Sequence, residues 1–221
     1  MAKCKIAILI SGRGSNMEAL IEACTHADFP AEVVGVISNR NDAGGLIYAA
    51  DRNIPVEVLD HREFESRENF EATLTGLLEN MNVDLVCLAG FMRLLTNSFV
   101  SRWLDKLINI HPSLLPSLKG LDTHARALAL GVRIAGCSVH FVRADMDSGP
   151  IIAQAAVPVF SNDTEESLAT RVLAVEHKLY PHALELVASG RARAVGERVI
   201  IDNDDPVDTQ LFAPATRSYT T

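Results

Sequence analysis

The sequence lacks paired cysteines, an excess of positive charge and any long apolar segment. Its cysteines are far apart and form no C-x-x-C pair: Cys4, Cys24, Cys87 and Cys137. Because disulfide frameworks and thiolate metal sites need regularly spaced cysteines, we expect reduced thiols. The apolar run near the start ends at Gly12 and is too short for a signal peptide core or a membrane span. We therefore expect a soluble cytoplasmic protein with no membrane partner.

The overall charge is negative. The 221 residues include 20 lysines and arginines against 28 aspartates and glutamates, a formal net charge of −8. A nucleic-acid-binding protein needs a basic surface, so we expect no nucleic-acid partner. An anionic small molecule would need local donors, such as N–H groups at a helix start. With 48% hydrophobic residues, the chain is long enough to bury a sizeable core.

The first half alternates strand-like and helix-like segments. The strand-like segments are CKIAILIS, AEVVGVISNR, PVEVLD, VDLVCLAG and KLINIHP. The segments between them have the apolar spacing of helices. One of these is a charged helix predicted from Arg62 to Asn82. This order predicts an α/β fold with a mostly parallel central sheet and helices on both faces.

The pattern changes near residue 103. Two strand-like segments, GCSVHFV and PIIAQAAVPV, flank the loop RADMDSG. A long helix is then predicted over 163–190, with Asp163 as its cap, a kink at Pro181 and an end at Gly190. A small hairpin over 191–202 and a loose tail follow. The change indicates a second subdomain rather than a second domain.

The segment SGRGSN, from Ser11 to Asn16, joins the first strand to the first helix. Its glycines allow a tight turn, and the N–H groups at the helix start can bind a phosphate. The loop lacks the Lys-Ser/Thr ending of a P-loop, and Met17 stands where G-x-G-x-x-G has its third glycine. Because α/β sheets bind ligands at such strand ends, a phosphate-binding loop has as much support as a plain turn. An NADP site using Arg40 also stays open.

Asn109 and His111 end an otherwise apolar strand. Residues two apart in a strand face the same side, so these polar side chains alternate with Ile108 and Ile110. A histidine in a strand is often a buried core residue. This one, however, lies at the carboxyl end of a predicted parallel strand, and Pro112 fixes the chain that leaves it. Asn109 and His111 are therefore candidate catalytic residues.

Asp147 lies in a Gly-Pro loop between two strands. Acidic residues in such loops are usually solvated turn formers, but this loop can fold over the edge that carries His111. A carboxylate beside an imidazole favours the protonated ring. With Asn109, the three side chains would supply an amide donor, a proton donor and a carboxylate. That set suits acyl transfer through a tetrahedral oxyanion.

The segment LAGFMRLL, from Leu88 to Leu95, follows the fourth strand. The segment can simply pack in the core. Alternatively, the apolar residues after Gly90 can form a pocket in which the ring system of a ligand lies against backbone groups. The remaining histidines show no H-E-x-x-H or similar spacing, so we predict no metal site. Of these, His140 shares a strand face with Ser138, which gives it weak support as a cleft residue.

Together, SGRGSN, LAGFMRLL, NIHPSLLPSLKG and SVHFVRADMDSGP resemble the phosphoribosylglycinamide formyltransferase family, the folate-dependent enzymes of purine synthesis. The likeness covers residues 5–200 in order and spacing. It implies a Rossmann-like formyltransferase fold with an antiparallel C-terminal portion, in a single domain over 1–203. That domain would comprise a nucleotide-binding subdomain over 1–103 and a C-terminal subdomain, with the catalytic and folate loops, over 104–203. Residues 204–221 would form a tail.

The resemblance also implies roles for individual residues. Asn109, His111 and Asp147 match the family's catalytic trio. The ribonucleotide would contact Gly14, Ser15, Asn16 and Glu176. The folate would contact Arg67, Met92, Arg93, Leu94, Leu95, Asn109, Arg143, Ala144, Asp145, Met146 and Asp147. Arg13 and Leu173 depart from the family's pattern, so their roles stay open.

The implied reaction moves a formyl group from the co-substrate 10-formyltetrahydrofolate to the amine of N1-(5-phosphoribosyl)glycinamide, without a metal. Formyltetrahydrofolate hydrolysis uses a similar trio, but such hydrolases carry an N-terminal regulatory domain, which we do not expect before Cys4. Methionyl-tRNA formylation calls for a basic RNA-binding domain. A non-catalytic binding module would not need the trio. The oligomeric state stays open, with a homodimer among the alternatives.

Overall fold

The computed structural model, which describes residues 2–202 and residue 213, contains a seven-stranded sheet. Its strands are β1 (Cys4–Ile10), β2 (Ala31–Ser38), β3 (Val56–Val58), β4 (Leu85–Leu88), β5 (Leu107–His111), β6 (Ile134–Phe141) and β7 (Ile151–Pro158). Their order is β3-β2-β1-β4-β5-β6-β7, parallel from β3 to β5 and antiparallel from β5 to β7. β8 (Ala192–Val195) and β9 (Arg198–Ile201) form the predicted hairpin. The predicted fold class is confirmed, whereas the predicted tail lies outside the described residues apart from residue 213.

Helices cover both faces of the sheet. They are α1 (Ser15–Cys24), α2 (Gly45–Ala50), α3 (Arg67–Asn80), α4 (Asn97–Arg102), α5 (Thr123–Ala129) and α6 (Glu165–Ala188). Successive side chains of β1 point to opposite faces, so Ile8 packs with α1 and α6 whereas Leu9 packs with α3 and α4. We call the α1–α6 side the first layer and the α3–α4 side the second layer. None of the helices in the described residues is long and apolar enough to cross a membrane.

The charged helix α3 begins at Arg67, not at Arg62 as predicted. Two side chains upstream capture backbone N–H groups. Asp60 accepts from the N–H of Arg62 and starts a short 3₁₀ turn, and Ser66 accepts from the N–H of Asn69 at 3.1 Å. Between these two residues the backbone of Phe64 is extended. The apolar spacing of the sequence is therefore helical over 62–66, although the backbone there is not one continuous helix.

The start of α6 also differs from the prediction. Thr164 caps the helix, with reciprocal bonds between Thr164 and Ser167. Asp163 instead pairs with Arg171, eight residues further along the chain, at 2.7 Å. The helix then continues through Pro181 to Ala188, and Gly190, at φ 76°, follows its end as predicted. The short helix α5 was not predicted.

All four thiols are free, and burial raises their pKa. The pKa rises to about 11 for Cys4, to about 12 for Cys24 and Cys137, and well above its ordinary value for the fully buried Cys87. Because the thiolate is the reactive form, these cysteines are poor nucleophiles near neutral pH.

We expect the folded protein at pH 7.5 to react with a chromogenic disulfide reagent at least about tenfold more slowly than the urea-unfolded chain does. The physical reason is the small thiolate fraction at all four sites. Stopped-flow absorbance measures both rates. A thiol that reacts in the folded protein at the unfolded rate would contradict the burial-based account.

Candidate active site

The pairing of β5 with β6 places two polar side chains together. Asn109 stands opposite His140 across the antiparallel pair, and its amide nitrogen Nδ2 lies 3.3 Å from Nε2 of His140. Ile108 and Ile110 alternate with the polar residues and pack into the first layer, as predicted. His111 is the last residue of β5 and is largely buried.

The loop between β6 and β7 brings Asp147 to the same place. Val142 leaves β6 beside Leu107, at the start of β5, so the loop must turn back along β5 to reach its end. After Asp147 the chain passes close to Phe141 before it enters β7. A Cβ at Gly149 would lie 1.7 Å from the Phe141 carbonyl oxygen, so only glycine fits at this position. Asp147 itself has φ 50°.

The Asp147 carboxylate lies between the two histidines. Its Oδ2 is 3.4 Å from Nδ1 of His111 and accepts a hydrogen bond from the Gly120 N–H at 2.8 Å. Its Oδ1 is 3.8 Å from Nε2 of His140. The three side chains predicted from separate segments, Asn109, His111 and Asp147, therefore converge.

Both ring nitrogens of His111 face oxygen acceptors. Nε2 lies 3.0 Å from the Leu118 carbonyl oxygen, and Nδ1 faces Asp147. A doubly protonated ring can donate to both acceptors, whereas a neutral ring leaves one nitrogen without a hydrogen to donate. These two acceptors hold the His111 ring in one orientation at the end of β5.

His140 has the opposite environment. Burial lowers its pKa, and Nδ1 lies 2.9 Å from the Phe141 carbonyl oxygen, which assigns the proton to Nδ1. In the neutral ring Nε2 then accepts from the Asn109 amide. This bond fixes the amide plane of Asn109 and leaves its second N–H for another acceptor.

The SGRGSN loop borders a cavity of about 490 Å³. Its walls are Ser11, Gly12, Arg13, Gly14, Ser15, Asn16, Asn39, Arg40, His61, Ala89, Gly90 and Met92. Gly14 is the N-cap residue of α1 and has φ 78°, a backbone conformation that favours glycine. Because glycine has no side chain, no cap hydrogen bond occupies the N–H groups of the first turn. The N–H groups of the first turn are thus available to an anion.

Glu176 and Asn16 close one side of the same region. The Asn16 amide nitrogen donates to Oε2 of Glu176 at 2.7 Å, and burial raises the pKa of Glu176. Oδ1 of Asn16 is buried and has no hydrogen-bond partner among the described residues. A bound molecule with a donor group would satisfy that oxygen.

The predicted folate residues fall into two groups. Met92 and Leu94 are 72% and 59% exposed on the segment after β4, and Arg93 stacks on the Phe70 ring 5.2 Å away. Leu95 packs into the second layer. The second group is the loop 143–147, whose Arg143 pairs with Asp105 and whose middle residues, Ala144, Asp145 and Met146, are exposed. Arg67 is exposed at the start of α3 and forms no hydrogen bond or ion pair with these residues in the described structure.

The comparisons with known proteins decide the family. The family model described as "Formyl transferase" matches residues 4–184. The chain belongs to the formyl transferase family. This family uses folate-derived formyl donors. The chain is 44% identical over 188 residues to the phosphoribosylglycinamide formyltransferase of Escherichia coli (strain K12), which covers 85% of this chain and 89% of that protein.

Other relatives of this formyltransferase differ from it in length or in sequence identity. The trifunctional purine biosynthetic protein adenosine-3 of Gallus gallus is 49% identical over 88% of the chain, but the chain spans only 19% of that protein. Glycinamide ribonucleotide transformylase 1 from Symbiobacterium toebii has a TM-score of 0.89 and 45% identity, covering 91% of this chain and 95% of that one. Formyltetrahydrofolate deformylase from Burkholderia mallei has a TM-score of 0.82 and 28% identity, covering 90% and 70%.

Sequence patterns indicate three groups around the formyltransferase site only weakly or not at all. His140 received weak support because its position opposite Asn109 depends on the register between β5 and β6. The Leu118 carbonyl and the Gly120 N–H are backbone groups, which no residue type reveals. Among the described residues, no group of three or more His, Cys, Asp or Glu has a metal-binding arrangement.

We expect the His140 ring in the formyltransferase to titrate below the ordinary histidine pKa of about 6.5, because burial disfavours its charged form. Histidine-labelled protein followed by NMR against pH measures the midpoint and the tautomer, and His140→Asn assigns the resonance. A midpoint above the ordinary value, or a proton on Nε2 at neutral pH, would contradict the bond to Asn109.

Proposed function

We propose that this chain transfers the formyl group of 10-formyltetrahydrofolate to the amine of N1-(5-phosphoribosyl)glycinamide in purine biosynthesis. The products are the formylglycinamide ribonucleotide and tetrahydrofolate. The observation that carries the proposal is the convergence of Asn109, His111 and Asp147. We expect the reaction to use small-molecule substrates only, without a metal or a nucleic acid.

In the proposed reaction the substrate amine attacks the formyl carbon, and the formyl oxygen becomes an oxyanion. The free N–H of Asn109 donates to that oxyanion, and the positive charge of protonated His111 stabilises it electrostatically. One preorganised donor of this kind is typically worth about 3 kcal/mol of the barrier. His140 supports Asn109 by holding the other amide hydrogen.

Asp147 serves the proton balance of the proposed reaction. Its carboxylate faces Nδ1 of His111 at 3.4 Å and so stabilises a positive charge on that ring. Its carboxylate also helps to move a proton from the attacking amine, through a water, to the departing nitrogen of the folate. The C–N bond to the folate then breaks, and no proton is gained or lost overall.

The two substrates would occupy different walls. We propose that Gly14, Ser15, Asn16 and Glu176 contact the phosphoribosyl substrate, which the uncapped start of α1 and the buried Glu176 support. The folate would lie against Met92–Leu95 and the loop 143–147, with Arg67 at its outer end. The exposed apolar side chains of Met92, Leu94 and Met146 support this placement.

The second candidate function is hydrolysis of formyltetrahydrofolate, in which water replaces the amine. The likeness to the deformylase favours it, but the cavity at the glycine loop favours a phosphorylated acceptor. The test is to incubate the protein with 10-formyltetrahydrofolate, with and without the ribonucleotide, and to follow deformylated folate by absorbance. We expect product only when the ribonucleotide is present; product without it would indicate hydrolysis, and no product in either case would leave a binding protein.

We expect His111→Ala and Asp147→Asn each to lower kcat by at least about a hundredfold, because each removes charge or proton transfer at the reacting carbonyl. Steady-state kinetics on purified variants measures the effect. His26→Ala and Asp28→Asn, both exposed in the connection between α1 and β2, are the matched controls. Near-normal turnover in either catalytic variant would overturn the role given to that residue.

A further inference from the structure

The segment that joins β4 to α4 has a fixed shape although its central side chains are exposed. Residues 91–96 form no regular element, and Met92 and Leu94 point away from the core with 72% and 59% exposure. A segment with so little apolar burial of its own needs other contacts to hold one conformation. We call residues 91–96 the donor segment, because the proposed function places the formyl donor against it.

One end of the donor segment is held by a buried carboxylate. Glu71 of α3 is 4% exposed, and its Oε1 accepts from the Thr96 N–H at 2.8 Å while Oε2 accepts from the Thr96 hydroxyl. No lysine, arginine or histidine of the described residues lies within ion-pair distance of Glu71. A buried charge needs hydrogen bonds, and here a single residue supplies both.

The other end is held from β1. The buried Ser11 hydroxyl accepts from the Met92 N–H at 2.8 Å and donates to Oδ1 of Asn39 at 2.5 Å. Between the two ends, Arg93 stacks on Phe70, the residue that precedes Glu71 in α3. The donor segment is thus fixed at both ends and presents its middle to solvent.

We propose that Glu71 is a positioning residue for the formyl donor. It contacts none of Asn109, His111 and Asp147, so it acts by holding Thr96 and with it the shape of the donor segment. A wall that is already ordered does not lose conformational entropy when the folate binds. This inference rests on the proposed function, and it assigns Glu71 to donor affinity rather than to the chemical step.

The chain contains a matched control for Glu71. Glu79, two turns further along α3, contacts the last residue of α4 through an ion pair with Arg102, whereas Glu71 contacts Thr96, the cap of α4. Both partners are largely exposed, and exposed ion pairs contribute little. Glu79→Ala therefore makes the same substitution between the same two helices without touching the donor segment.

The experiment compares wild type, Glu71→Ala, Glu71→Gln and Glu79→Ala. It measures kcat, the KM for each substrate, the Kd for tetrahydrofolate by calorimetry, and the thermal midpoint. We expect Glu71→Ala to raise the donor KM and the tetrahydrofolate Kd at least about fivefold, because two hydrogen bonds to a buried charge are lost. The ribonucleotide KM and kcat should stay within about twofold, since the reacting groups are untouched.

Glu71→Gln should restore most of the donor affinity, because a glutamine amide can accept from the Thr96 N–H and donate to its hydroxyl. Glu79→Ala should match wild type. A lower thermal midpoint in Glu71→Ala with an unchanged donor KM would show a merely structural role and overturn the proposal. A fall in kcat alone would overturn it as well.

A second pair of variants covers the case in which Glu71→Ala does not fold. Thr96→Val removes the hydroxyl that donates to Glu71, whereas Thr96→Ser keeps it. We expect a raised donor KM in Thr96→Val only, and equal values in both would overturn the proposal. Absence of formyl transfer by wild type would instead refute the proposed function, whatever the variants do.

Discussion

Antiparallel pairing of β5 with β6 determines which side chains the site contains. It sets Asn109 opposite His140, and it starts the following loop beside Leu107. From there the loop brings Asp147 to His111, and it then passes the Phe141 carbonyl at Gly149 on its way into β7. A shift of one residue in this register would turn the histidine of β6 to the other face of the sheet. The trio therefore depends on one strand pairing that joins the parallel and antiparallel parts of the sheet.

The sequence predicted those features that local patterns determine. Apolar runs predicted the strands. Asn109 and His111 were predicted as site residues because polar groups at the end of β5 interrupt a buried strand. Two predicted helix starts were wrong: Ser66 caps α3, which begins at Arg67 and not at Arg62, and Thr164 rather than Asp163 caps α6. Several residues in each stretch can cap, and only the tertiary contacts of their neighbours decide between them.

In the proposed reaction an acidic chain acts on anionic substrates, and the site accounts for this. The net charge of −8 offers no long-range attraction, so affinity must come from groups at contact distance. The glycine loop supplies backbone N–H groups at the start of α1, and no side chain caps them in the described structure. Glu176 accepts from the Asn16 amide beside the same cavity, and burial raises the pKa of this carboxyl.

In the proposed reaction each layer of the fold serves one substrate. The ribonucleotide would contact groups on α1 and α6, whereas α3 and α4 hold the donor segment. The layers meet at the ends of β4 and β5, where the buried Tyr180 of α6 donates to the carbonyl oxygens of Leu88 and Ile108, at 3.0 and 3.3 Å. Because Ile108 immediately precedes Asn109, packing of the first layer also positions the catalytic amide. Leu88 is separated from the donor segment only by Ala89 and Gly90. A substitution in the wall proposed for one substrate therefore need not affect the other wall, whereas a substitution at the ends of β4 and β5 affects both.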